Sequence, residues 1–335
     1  MKLAALAAAP VAAMALAACA TPTAPMRGAA CGRACLEGAL DAYLDALIAN
    51  DPSQAPFADD VVFVENYQRL DVGEGTWATM DGRGVYAHVF ADPASGNVGL
   101  ISTMRENGVP VLFDLRLKVE NGRIAEAESF VIRSAPGALL YENTLGEGPA
   151  PEWLEAVPED ERLTRAELVA MPDAYFSSMQ RNDGGGDYSF FHPECNRLEH
   201  AVQTTNMDPP QPYGHIQDTR FTGMTCAEQW STGFLGFVTD IRDRRHLIVD
   251  EERQALFSFA SFDHNGAVRE IELAGAMEGD VAVMPPYFGT PRTLQVLEAF
   301  LVRDGKLFRI EMTLLELPYG AQPPWPAEAA EEAAP

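Results

Sequence analysis

Two glutamates stand where a carboxylate is expensive. Glu65 ends the apolar run VVFVEN (61–66), and Glu199 sits in NRLEH (196–200) between Arg197 and His200 on either side. A carboxylate in apolar surroundings must be solvated, hydrogen-bonded or put to use. The use that fits is proton transfer, because an apolar cavity tunes an acid toward neutral pH. If NRLEH is a strand, alternation puts Arg197 and Glu199 on one face and His200 on the other. Arg197 then either forms a structural pair with Glu199 or holds it ionised as a base. Further along, Glu126 and Glu128 share one strand face, and so do Arg309 and Glu311. The candidate catalytic acids are therefore Glu65, Glu199, Glu128 and Glu311, and the candidate pocket residues are Tyr43, Tyr175, Asn66, Arg197, His200 and Arg309. Tyr43 and Tyr175 are phenol donors on expected helices; the competing reading makes them core aromatics with the hydroxyl at the rim.

Other polar clusters read as structure. RDRRH (242–246) is a solvated, salt-bridged connection, Asp263-His264-Asn265-Gly266 is turn chemistry, and His192 precedes a proline in a loop. There is no GxSxG elbow, no phosphate-binding glycine loop and no HExxH helix. No Cys/His cluster has zinc-finger spacing. Neither a metal nor a cofactor is expected.

These residues must be positioned by helices and strands, and the chain writes that order twice. Asp41-Ala42-Tyr43 in DAYLDALIAND returns as Asp173-Ala174-Tyr175 in DAYFSSMQRND, and Asn50-Asp51 returns as Asn182-Asp183. PFADDVVFVEN (56–66) lines up with FFHPECNRLEH (190–200), and VENGRIAEAESF (119–130) with VRDGKLFRIEMT (302–313), if the second copy carries roughly fifty extra residues in its middle. NMDPPQPYGHIQDT (206–219) is a natural part of that insertion. A period this long means tandem domains rather than a solenoid. Each copy opens with a helix (about 35–49 and 164–181) whose apolar residues follow helical spacing, Leu36, Leu40, Tyr43, Leu44 and Leu47 in the first. A short strand bearing Glu65 or Glu199 follows, and then strands joined by hairpins. VLFDLRLKVENGRIAEAESFVIR turns at Asn-Gly and LEAFLVRDGKLFRIEMTLLEL at Asp-Gly, both strong hairpin signals. ALFSFASFDHNGAVREIELAG reads as a third such hairpin. Helices followed by an antiparallel meander give an α+β class.

The chain has 335 residues, of which 47% are hydrophobic, enough for two ordinary domains with proper cores. Its net charge of −25 repels phosphate backbones and anionic headgroups, so nucleic acid is not an expected partner. Residues 1–18 read as a signal peptide: Lys2 is followed by an apolar stretch too short to span a bilayer and then by Leu16-Ala17-Ala18-Cys19, similar to a bacterial lipobox. Lipidation of Cys19 would make that lipid the sole membrane contact, with 19–30 as tether, and Ala20 after the cysteine fits sorting to the outer membrane of a bacterial cell envelope, facing the periplasm; the alternative is ordinary cleavage and release. Cys31, Cys35, Cys195 and Cys226 remain, and in an oxidising compartment four cysteines allow three pairings. The favoured one is Cys31–Cys35 with Cys195–Cys226; a redox dithiol at Cys31/Cys35 is the alternative.

The stretches CGRACLEGALDAYLDALIANDPS, PFADDVVFVENYQRLDVGEGTWATMDG and FDLRLKVENGRIAEAESFVIR, with RDRRHLIVDEERQALFSFASFDHNG and LPYGAQPPW in the second copy, resemble an exported branch of the SnoaL-like, nuclear-transport-factor-2-like superfamily over about residues 31–326. The resemblance implies two tandem cones, each of helices packed on a curved, mostly antiparallel sheet, at 31–133 and 163–318, with a linker at 134–162 and a Pro/Ala/Glu-rich tail at 319–335. It also implies an apolar conical pocket with a few buried acids, histidines and tyrosines, but not an activity, since one fold hosts many functions. Two functions are expected of such a molecule. One is a cofactor-free isomerase, dehydratase or lyase acting on a small apolar molecule; the other is an envelope lipoprotein that holds a ligand or partner without turning it over. The sequence leaves the oligomeric state open.

Overall fold

The computed structural model describes residues 31–325 of the chain. The leader, Cys19, the tether at 19–30 and the end of the tail lie outside the described residues.

Helix α1 (Arg33–Ile48) buries Leu36, Leu40, Tyr43, Leu44 and Leu47, one stripe at helical spacing. That stripe rests on a sheet of six strands: β1 (Phe57–Glu65), β2 (Gln68–Leu70), β3 (Met80–Asp92), β4 (Asn97–Glu106), β5 (Val109–Glu120) and β6 (Arg123–Ile132), ordered β2-β1-β6-β5-β4-β3. The turns Asn107-Gly108 and Asn121-Gly122 hold both residues at positive φ, which matches strand twist in a two-residue hairpin and makes β4, β5 and β6 a meander. β1 enters beside β6 in parallel, carried there by the chain that follows α1.

Helix α2 (Ala135–Leu145) comes next, and then α3 (Arg165–Met179), which starts at a Thr164/Glu167 capping box. The second sheet comprises β7 (Phe191–Glu199), β8 (Val202–Gln203), β9 (Asp240–Asp250), β10 (Ala255–His264), β13 (Arg292–Arg303) and β14 (Lys306–Leu317). Its order, β8-β7-β14-β13-β10-β9, repeats that of the first sheet, and β7 is again parallel to β14. Short helices α4 (Arg220–Gly223) and α5 (Cys226–Ser231) precede β9, and a small hairpin of β11 (Glu270–Glu272) and β12 (Val281–Val283) precedes β13. The molecule is thus a mixed α+β fold on two six-stranded sheets.

The registers of the two sheets correspond. Val64 faces Glu128 across β1 and β6, as Leu198 faces Glu311 across β7 and β14. Asn66-Tyr67 and His200-Ala201, just past the paired strands, all have positive φ. The extra length of the second half is divided rather than single: residues 204–239 replace the short 71–79 connection, and residues 265–291 replace the Asn107-Gly108 turn.

This division corrects one expected hairpin. The segment after Asn265-Gly266 does not pair back on β10, whose two edges are already taken by β9 and β13. Gly266, at φ 71, instead turns the chain out of the sheet into the second insertion.

Apolar residues form three layers. One lies between α1 and the first sheet, one lies between α3, α5 and the second sheet, and the third lies between the sheets. In the third, Phe90 of β3 stacks on Phe257 of β10 with ring centroids 5.2 Å apart. Gly99 lets the sheets meet, since a Cβ there would stand 2.4 Å from Ile248 Cδ1. Residues 134–162, expected as a linker, carry α2 and bury Tyr141 and Trp153 in this central layer. RDRRH is not a solvated connection. Arg245 and His246 are buried in β9, because Glu128 of the facing sheet and Ser258 on the neighbouring strand give them partners.

The cysteines pair as favoured, Cys31–Cys35 at the start of α1 and Cys195–Cys226 between β7 and α5.

A candidate small-molecule site in the second half

The second sheet curls around a cavity of about 260 Å³. Its walls are mostly apolar, with Met179 of α3, Phe262 of β10, Leu294 and Val296 of β13, and Met312 and Leu314 of β14. Strand alternation selects these side chains: along β13, Leu294, Val296, Glu298 and Phe300 share one face. The two insertions roof the cavity, one with Tyr213, His215 and Ile216 and the other with Tyr287 and Phe288. They meet where His215 stacks on the Tyr287 ring at 4.0 Å.

The polar groups form a chain reaching into this space. Arg197, buried on β7, donates from Nη2 to Glu199 at 2.6 Å and from Nε to the Tyr175 hydroxyl at 3.0 Å. Tyr175 in turn donates to Glu298 at 2.7 Å. Arg197 also lies over the Trp230 ring at 5.0 Å, a placement that suits a guanidinium better than an ammonium. Glu298 is fully buried and its second oxygen has no partner. Burial pushes its carboxyl up to about 7, against the opposing pull of Arg197 and Tyr175. Burial and then the Glu199 charge raise the Tyr213 phenol well above its usual value, so it stays a hydrogen-bond donor.

His264 ends β10 and lines the same cavity. It is buried, and neither ring nitrogen has a hydrogen-bond partner. Burial, with Arg292 adding, lowers its pKa to about 4, so at neutral pH the imidazole is uncharged and can donate from one nitrogen and accept at the other. Burial lowers His200 as well, while Glu199 opposes the shift. The cavity therefore offers one charge-balanced pair, Arg197 with Glu199, and several neutral donors.

Of the residues singled out in the sequence, Glu199, Arg197 and His200 line this cavity. His200 does so although strand alternation assigned it to the opposite face, because it lies beyond the end of β7 at φ 48 and the alternation no longer applies. Tyr175 stands behind Arg197.

The others lie elsewhere. In the first half aromatic side chains occupy the matching interior, with Tyr43 and Trp77 edge to face at 5.1 Å and Phe57 packed on both, and none of the described cavities opens there. Glu65 lines none of the described cavities. It accepts from the Thr76 amide at 2.8 Å and the Thr76 hydroxyl at 2.7 Å, and Gly75, at φ 61, leaves room for it. Asn66 hydrogen-bonds Val131 through both side-chain atoms and so extends the β1–β6 ladder. Glu128, Glu311 and Arg309 face the layer between the sheets rather than a cone.

Sequence reading missed His264, Tyr213 and Glu298. For His264 the signal was present, since Leu256, Ala260 and Phe262 alternate on the face that it continues, but Asn265-Gly266 read more strongly as a turn. Tyr213 lies in an insertion with no periodicity. Glu298 is the single acid in the apolar run LEAFLV. One further alignment, Asp173–His246–Ser258 at 3.1 and 2.9 Å, has the residue types of a hydrolytic triad, but Ser258 is completely buried and lines no described cavity.

Residues 161–314 match a family model described as a domain of unknown function, DUF8021. No curated protein matches the chain. Among solved structures, it is similar to an NTF2-like protein of unknown function from Cytophaga hutchinsonii at 16% identity, over 29% of this chain and 88% of that one, with a TM-score of 0.24. An NTF-2-like protein from Burkholderia xenovorans is similar at 14% identity over 30% and 85%, TM-score 0.26. A de novo designed protein with a curved β-sheet matches at 14% over 46% and 88%, TM-score 0.24.

Proposed function

We propose that the chain is a duplicated pair of NTF2-like cones in which the second is a working site and the first, filled by its own aromatics, is structural. The reading extends to export and anchoring through Cys19, supported by the leader and by disulfides of the kind oxidising compartments allow. The observation that carries the functional reading is that Glu199 and the unpartnered His264 share one apolar cavity. Buried polar groups without partners are rare in folded proteins and invite a ligand to complete them.

The ligand class follows from the cavity's charge balance. Glu199 is already matched by Arg197, so a charged ligand would bring an uncompensated charge into an apolar space. A small, neutral, largely apolar molecule with a carbonyl or hydroxyl suits the neutral donors His264 and Tyr213. In that arrangement Glu199 takes a proton from the carbon beside the carbonyl. The C–H electron pair moves into an enolate, whose oxygen is stabilised by a hydrogen bond from His264 or Tyr213. Returning the proton to another carbon isomerises the molecule; losing a β-substituent instead is dehydration or lyase chemistry. The 2.6 Å contact from Arg197 favours a second reading, in which the pair is structural and the cone only holds its ligand.

A melting-temperature screen with bicyclic ketones, the corresponding alcohols and carboxylates of similar size tests the ligand class. Neutral compounds should raise the melting temperature of the wild type, and His264→Phe should lose that rise. Stabilisation by the carboxylates alone, or none by any compound, contradicts the proposal.

A further inference from the structure

We propose that a second cavity, between the two sheets at Glu311, binds a small organic cation, an ammonium or amidinium on an aromatic body. The inference comes from comparing two matched carboxylates. Glu128 and Glu311 sit at the same register, opposite Arg116 and Ala299 on their antiparallel neighbours. Both are buried in the layer between the sheets.

Glu128 is saturated with positive and donor groups. Arg245, from the facing sheet, donates to it twice, at 2.7 and 3.0 Å. Arg116 donates at 3.1 Å and the Trp325 indole at 2.8 Å. Burial alone would raise its pKa, but the two guanidiniums outweigh that and hold it below the usual carboxylate range.

Glu311 has neither arginine. Ala299 stands where Arg116 would be, and its partners are the Tyr86 hydroxyl at 2.6 Å and His88 Nδ1 at 3.0 Å. Among the described residues no arginine or lysine pairs with it, and His88 is the one basic side chain within reach. Arg309 lines the cavity, but it is tied to Glu152 at 2.9 Å and to the Glu194 carbonyl, so that pair is neutral as a unit. In the same layer burial, with the Glu311 charge adding, raises Asp114 to about 8.

Beside Glu311 is a cavity of about 250 Å³, walled by Tyr86, Trp153 and Leu198. A buried carboxylate beside aromatic rings is the arrangement that recognises an organic cation, by charge-assisted hydrogen bonding and by attraction to the ring faces. A neutral molecule would leave the charge unmatched and an anion would be repelled. No group of three or more metal-ligating side chains exists among the described residues, which favours an organic cation over a metal ion. The net charge of −25 raises the local concentration of any cation.

Isothermal titration of the full chain carrying His264→Phe, which removes uptake of neutral ligands by the other cavity, with phenethylammonium, 2-phenylethanol and phenylacetate, which share one body, provides the test. The cation should bind at least about tenfold more tightly than the alcohol, a difference of about 1.4 kcal/mol, with no measurable binding of the acid. Glu311→Gln should abolish that preference. Trp153→Leu, which leaves the carboxylate in place, should weaken the cation about fivefold and serves if the first variant fails to fold. Equal affinity for cation and alcohol, absence of saturable cation binding, or cation binding unchanged in a folded variant would overturn the proposal.

Discussion

Glu298, linked through Tyr175 to the cavity-lining Arg197, and His264, which lines the same cavity, respond to pH in opposite senses. The Glu298 carboxyl, raised to about 7 in the folded chain, keeps its proton after the unfolded chain has lost it near 4.5. Its contribution is therefore complete below about pH 4.5 and lost as pH rises toward 7. His264, lowered to about 4, stays neutral while the unfolded chain takes up a proton near 6.5, so stability falls as pH drops from about 6.5 to 4. Melting temperatures between pH 4 and 8 should show Glu298→Gln gaining on the wild type above pH 4.5, and His264→Phe gaining below pH 6.5. Parallel curves for wild type and variant would contradict the assignment. Glu65 behaves differently. Glu65→Gln removes a charged acceptor from Thr76 and should cost about 1–3 kcal/mol in denaturant unfolding, while ligand binding in the cavity of the second half is unchanged.

At the scale of elements, the Cys195–Cys226 disulfide fastens β7, which carries Arg197 and Glu199, to α5. It closes a loop of 31 residues that takes in the first part of the first insertion, Tyr213 included, and both sulfur-bearing residues are buried. Replacing both cysteines by alanine should cost about 3–4 kcal/mol and weaken the cone's ligand, whereas the same change at Cys31 and Cys35, which close a short loop, should cost much less. Equal losses from the two pairs would contradict this. Much of this level was legible in the sequence. The helical stripe of α1, the Asn-Gly and Asp-Gly hairpins and the recurrence of Asp-Ala-Tyr all act through local periodicity or turn chemistry. What was not legible depends on contacts distant in sequence. Glu126 and Glu128 do share one face, as do Arg309 and Glu311, but nothing in that face tells whether it looks into a cone or toward a second sheet. The insertions that supply Tyr213 and Tyr287 have no periodicity to follow.

At the scale of the molecule, the halves are joined by the apolar and ionic layer between their sheets. Arg245→Met would leave Glu128 with one guanidinium instead of two and should cost about 3–5 kcal/mol, lowering the melting temperature of the whole chain in a single transition. Two separated transitions in the wild type would mean that the halves fold independently. The candidate reaction site is the cavity of the second half, because aromatic side chains occupy the matching interior of the first and none of the described cavities opens there. Deuterium uptake from D₂O into bicyclic ketones, followed by NMR, addresses that claim most directly. The wild type should speed exchange beside the carbonyl at least about a hundredfold, the scale of one positioned base. Glu199→Gln should abolish it and Glu65→Gln should leave it intact. Binding of the ketones without accelerated exchange, or acceleration that survives in Glu199→Gln, would contradict the acid/base account.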